Sequence, residues 1–110
     1  MKVNPMANYT IVTSGKQCRV VLAGDLTAPR VPELQAALRK ELVPAVTEVI
    51  FDLGQTATLD SSGIGLLIAT NNSLARQQGC IRVQNVSPDL LRLLQSMRLV
   101  SRLNTTGRTP

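Results

Sequence analysis

An α/β domain, with helices packed on a mixed β-sheet of four to five strands, is what this sequence predicts. Three observations carry the prediction. Short β-branched runs alternate with longer runs whose apolar residues recur at helical spacing. Prolines and glycines punctuate the boundaries between them. The length of 110 residues and the 44% hydrophobic content suit one core without metals or disulfides.

Taken in order, Tyr9–Thr13 and Arg19–Leu22 read as two strands, with Ser14-Gly15-Lys16-Gln17 as the hairpin turn between them. The first helix follows Gly24-Asp25-Leu26-Thr27. Pro29 and Pro32 confine its start to the Thr27–Pro32 region, because proline suits a first turn and breaks an interior. Val31, Leu34, Leu38 and Leu42 form its apolar stripe, and Pro44 ends it. Val49, Ile50, Phe51 and Leu53 form an apolar run that fits a strand covered on both faces. The loop Gly54–Asp60 then leads into a second helix from Ile64 to about Gln78. Ile64, Leu67, Ile68, Asn71, Leu74 and Ala75 share one face of it, with Gly79 as C-cap. Cys80–Val86 reads as a strand. Ser87-Pro88-Asp89 opens a third helix with a serine N-cap, proline at the first position and an acid in the first turn. Leu90, Leu91, Leu94 and Met97 supply its apolar side. Leu99–Leu103 reads as a last edge strand. The chain is one domain over residues 1–110, with a core over 8–103 and loose termini at 1–7 and 104–110.

Composition narrows the chemistry. The sequence has no histidine, which removes the usual metal ligand, general base and pH switch together. Cys18 and Cys80 follow no metal-ligand spacing and read as reduced, buried small hydrophobes. No run resembles a signal core or approaches transmembrane length, so a soluble cytoplasmic protein without membrane insertion is expected. The net charge of +5 resides wholly in the last third: Arg76, Arg82, Arg92, Arg98, Arg102 and Arg108 face only Asp89 there. No nucleic-acid motif or aromatic stacking platform accompanies these arginines, so they read as solvated helix-face residues and direct DNA binding is not expected.

The stretch Leu59-Asp60-Ser61-Ser62-Gly63-Ile64-Gly65-Leu66-Leu67 stands where a buried strand hands over to a helix. As a nucleophile, Ser61 would lack a base, and neither a Gly-x-Ser-x-Gly elbow nor a phosphate-loop pattern is present. No intrinsic catalysis, metal or cofactor is therefore expected. On the residues alone, two readings stand for the serines. They cap the helix, which one hydroxyl achieves, or the spare hydroxyl is presented to a partner. Asp60 caps instead if the helix starts early. The glycine pair at 63 and 65 forgoes helix stability, as a closely approached surface would.

The same stretch carries a family resemblance. Asp60-Ser61-Ser62-Gly63-Ile64-Gly65-Leu66-Leu67 resembles the Asp-Ser-Ser/Thr-Gly-aliphatic-Gly signature of the bacterial anti-sigma factor antagonists, single-domain members of the STAS superfamily. Val20–Leu26 resembles the family's second-strand motif, and Gly79–Val83 with Ser87-Pro88 its later strand-to-helix segment. The resemblance covers roughly residues 8–103 and departs at Thr27, where many members carry aspartate, and in the basic charge. It implies a STAS-like fold and phosphorylation of Ser61, the first serine after the aspartate. A serine kinase that doubles as an anti-sigma factor would add the phosphate, and a PP2C-type phosphatase would remove it. It also implies partner binding through Asp25, Asp60, Ser61, Ser62, Gly63 and Ile64 by a monomer or weak dimer. A constitutive STAS adaptor in a lipid-transport or signalling complex is the alternative.

Overall fold

The computed structural model describes residues 2–3 and 9–108. Lys2–Val3 (β1), Tyr9–Ser14 (β2) and Gln17–Leu22 (β3) pair antiparallel. Gly15 holds φ at +60°, which a two-residue hairpin turn demands of its first central residue. Three parallel crossovers follow: Val31–Glu41 (α1) to Glu48–Asp52 (β4), Ser61–Ala75 (α2) to Cys80–Val86 (β5), and Pro88–Ser96 (α3) to Thr105–Gly107 (β6). The sheet order runs β1 through β6 without a break. The expected α/β class and mixed sheet hold, and two very short edge strands raise the strand count to six. The rest of the expected loose N-terminus, and residues 109–110 of the tail, lie outside the described residues.

Strands that advance always in one direction, joined by right-handed crossovers, send all three helices to the same face of the sheet. Burial agrees. Cys18, Val20, Val49, Phe51, Ile81 and Val83 point to the helices and are completely buried. Residues of opposite parity, such as Arg19, Val21, Glu48, Asp52 and Gln84, are only half-buried. The expectation that β4 is covered on both faces therefore needs correction. Ile50 points away from the helices and is buried because it lies in register between Arg19 and Arg82. Long basic side chains shield apolar surface with their stems. Arg19 reaches Asp52 at 3.0 Å and Arg82 reaches Glu48 at 2.6 Å across it.

Four further readings change. Leu99–Leu103 is not a strand but a helical turn, closed by the Leu103 amide on the Leu99 carbonyl at 2.9 Å. Leu99 and Leu103, four apart, both point into the core. The strand comes just later, at 105–107 in the expected loose tail, where Asn104 (φ +49°) reverses the chain and its Nδ2 donates to the Ile81 carbonyl. Gly79 is not the left-handed residue that ends α2; Gln78 is, at φ +60°, with the Gly79 amide on the Leu74 carbonyl. Gly79 is required for another reason: a Cβ there would lie 2.2 Å from the Thr47 carbonyl oxygen. Ala75 and Met97, expected on apolar faces, are exposed, since each stands at its helix's last turn beyond the core. Cys18 and Cys80 are both free thiols, the first buried and its ionisation pushed up by burial, the second half-buried.

Candidate functional site

The turn into α2 is built by two loops stitched together. The Leu26 amide donates to the Thr58 carbonyl at 3.1 Å, and the Asp60 amide donates to the Leu26 carbonyl at 3.4 Å. Asp25 Oδ1 accepts from the Ala57 and Thr58 amides at 3.1 and 3.0 Å. Thr56, buried despite its hydroxyl, donates to the Gly24 carbonyl at 2.8 Å. Asp25 is thus a strut holding the loop before the helix, and Thr56 is its counterpart from the other side. Thr56 carries no sequence signal of this role: one of two threonines in a seven-residue loop, it reads as solvent-facing.

Asp60 closes the junction with both carboxylate oxygens. Oδ1 accepts the Gly63 amide at 2.9 Å as helix N-cap, and Oδ2 accepts the Ala28 amide at 2.8 Å. These amide donors, Gly63 first and Ala28 next, hold its carboxyl below the ordinary value for an aspartate, with burial acting weakly the other way. The cap is therefore Asp60 and neither serine, which corrects the reading of the serines as helix caps. Among the described residues neither serine hydroxyl has a hydrogen-bond partner. Ser61 is exposed at the first helical residue, and Ser62 is half-buried.

The remaining expected contact residues divide. Gly63 is buried because the helix start is pressed onto the loop before α1; a Cβ there would lie 2.3 Å from the Leu26 carbonyl oxygen. Ile64 is buried in the domain's own core, so its side chain serves packing. Gly65, by contrast, is exposed and has nothing within 4 Å of where its Cβ would be. Exposed positions along α2 continue this surface through Ala69, Asn72 and Ser73, and the whole helix carries no charged residue.

The Asp60 carboxylate already occupies the positive end of the helix. Of the first amides of the helix, it takes that of Gly63. A charge added on Ser61 meets a fixed negative neighbour. Elsewhere, the basic last third is partly neutralised internally: Arg82 pairs with Glu48, Arg92 with Asp89, and Arg108 donates to the Gly54 carbonyl. Among the described residues no cluster of three or more histidine, cysteine, aspartate or glutamate side chains could hold a metal ion. No helix among them is long and apolar enough to cross a membrane.

Comparison with known proteins agrees with this architecture. The phosphorylated form of SpoIIAA, a Bacillus cell fate determinant, superposes with a TM-score of 0.73 at 22% identity, covering 92% of this chain and 91% of that one. An anti-sigma factor antagonist from Mycobacterium paratuberculosis gives a TM-score of 0.75 at 20% identity, over 88% and 82% of the two chains. A domain of the murine anion transporter Slc26a9 shares the fold at 10% identity and a TM-score of 0.72, where 87% of this chain covers 17% of the transporter. No curated protein matches the chain by sequence. The family model described as "Mlab, STAS domain" matches residues 9–103. The chain belongs to the STAS domain family.

Proposed function

We propose that the chain is an anti-sigma factor antagonist of a partner-switching pathway. Its unphosphorylated form binds a serine kinase that is also an anti-sigma factor. That kinase phosphorylates Ser61 and so releases itself, and a PP2C-type phosphatase restores the binding form. The role is docking, without catalysis by this chain. The observation that carries the reading is the Ser61 hydroxyl, which is exposed, at the first residue of α2 and without a structural task because Asp60 caps the helix.

The physics of the switch follows. A phosphate adds about −1.5 to −2 charge at neutral pH. Within a docked interface it would lose water while facing Asp60, and desolvation and like-charge repulsion both oppose binding. A cost of about 3–4 kcal/mol weakens binding a hundredfold or more. Most of that cost arises only in the complex, since in the free domain Ser61 stands in water. The fold therefore persists while the interface is lost.

Incubation with the candidate kinase and ATP, followed by intact mass and peptide mapping, tests the assignment. The expected result is a single phosphate on Ser61, absent from Ser61→Ala and with Ser62 unmodified. Tight kinase binding by a verified phospho-Ser61 form would refute the switch. The family model's MlaB description and the transporter-borne domain among the structural neighbours favour a second reading, a constitutive adaptor docking through the same helix. Pull-down of a transporter subunit, insensitive to ATP and to Ser61→Asp, would select it.

A further inference from the structure

A groove runs between α1 and α2, one to three turns beyond Ser61. Its floor is aliphatic, formed by Leu38, Leu42 and Leu66, and its rim by Arg39, Ala69 and Ser73. The Thr70 hydroxyl at its base is already committed to the Leu66 carbonyl at 2.8 Å, and Gln35 also lines the groove. The cavity measures about 130 Å³. That is close to the roughly 150 Å³ of an aliphatic cavity that admits a benzene-sized group.

The charge around this groove has one sign. Arg39 stands on its rim, and Arg76, at the α2 C-cap seven residues after Ala69, stands on the same helical face. The acids of α1 point elsewhere. Glu41 lies on the side of α1 that faces β2, where it accepts from the Thr13 hydroxyl, and Glu33 is on the outer, exposed side. Neither arginine has an ion-pair partner among the described residues. The α2 wall, with Ala69 and Ser73, is low enough for a second backbone to lie along it.

We infer that the α1–α2 groove receives an acidic amphipathic helical segment of a protein partner. One bulky apolar side chain of that segment fills the cavity, and its carboxylates meet Arg39 and Arg76. The mode is helix in groove, with apolar anchors supplying affinity and the cationic rim supplying orientation. The α2 wall of the groove belongs to the surface that continues from Ser61, but Ser61 does not line the groove, so the inference stands whether or not Ser61 is a phosphorylation switch.

The test uses a synthetic amphipathic helical peptide with leucine and phenylalanine on one face and glutamate on the other. A second peptide carries lysine in place of glutamate. Backbone amide chemical shifts of the isotope-labelled full chain report binding. The expected result is saturable shifts over residues 38–42 and 66–73 with the acidic peptide only. The double variant Arg39→Glu/Arg76→Glu should weaken that binding about tenfold or more, as should Ala69→Arg. All three positions are exposed, so the variants should fold, which unchanged shifts elsewhere verify. Equal binding of both peptides, or shifts centred on the open face of the sheet, would overturn the inference. So would a concentration-dependent dimer or binding to anionic lipid vesicles that Ala69→Arg abolishes, since either would give the groove a different occupant.

Discussion

Gly63 and Gly65 stand two residues apart in the same helical turn, yet one is walled in by the Leu26 carbonyl and the other faces open space. The residues beside them divide in the same way. Asp60 turns inward and ties two loops to the helix, while Ser61 turns outward with its hydroxyl unused. A single turn thus has a side that the domain consumes and a side that it leaves available. On the first, each group has an internal partner that explains its identity. On the second, small uncharged residues are present although nothing inside the domain calls for them. The difference separates structural constraint from constraint imposed from outside, and substitutions can probe it.

The largest effect is expected on the consumed side. Gly63→Ala would place a methyl group 2.3 Å from the Leu26 carbonyl oxygen and 3.1 Å from the Leu26 Cγ. Backbone on the opposite side cannot swing away as a flexible side chain does, so the helix start must lift from the loop. Overpacking of this kind costs about 1–3 kcal/mol, well above the gain of about 0.5–1 kcal/mol from alanine's helix propensity. Urea unfolding should therefore show Gly63→Ala destabilised by roughly 2 kcal/mol. An unchanged midpoint would mean that the close approach does not constrain the turn.

Asp60 sharpens the same side through pH. Its folded-state ionisation is depressed below the unfolded value of about 3.9, chiefly by the Gly63 and Ala28 amides. An aspartate of this kind contributes stability that is fully present above the unfolded value and is lost as pH falls through the folded one. The acid limb of the stability curve, from about pH 4 downward, should accordingly be shallower in Asp60→Asn than in the native chain. Asparagine still offers one oxygen as a cap. At neutral pH, Asp60→Asn should therefore melt above Asp60→Ala and below the native protein. Equal melting of all three would remove Asp60 from the junction.

How far the sequence foretold this arrangement depends on the kind of interaction involved. The start of α3 was legible because its signals are local, whereas α2 begins at Ser61, three residues before the expected Ile64. Ser87-Pro88-Asp89 predicts α3, and Ser87 Oγ does accept the Leu90 amide. The parallel order was legible from the alternation of strand and helix runs. Contacts between distant segments were not. Nothing in Gly24–Ala28 or Thr56–Thr58 signals that these loops exchange hydrogen bonds across some thirty residues, so Asp25 read as a contact residue and Thr56 drew no notice. The apolar run at 49–53 could not reveal that Ile50 is sheltered by arginine stems from neighbouring strands. Of the site, position 61 was legible from its motif, but which residue caps was not, because Asp60, Ser61 and Ser62 are all good caps and only the helix register decides among them.

Gly65 offers the smallest expected stability effect and the most direct probe of the open side. Its backbone is ordinary for a helix, since it is absent from the positive-φ residues, and no atom lies within 4 Å of an added Cβ. Gly65→Ala should therefore stabilise the domain by about 0.5–1 kcal/mol, through lower unfolded-state entropy and better helix propensity. The same methyl group would stand on the surface that continues from Ser61, where a docked partner's backbone would meet it. A more stable domain that binds its partner less well is the outcome expected if the glycine serves an interface. Greater stability with undiminished binding would show that docking does not reach this turn. The interface would then lie elsewhere, and the exposed Ser61 hydroxyl one turn away would lose its claim to control it.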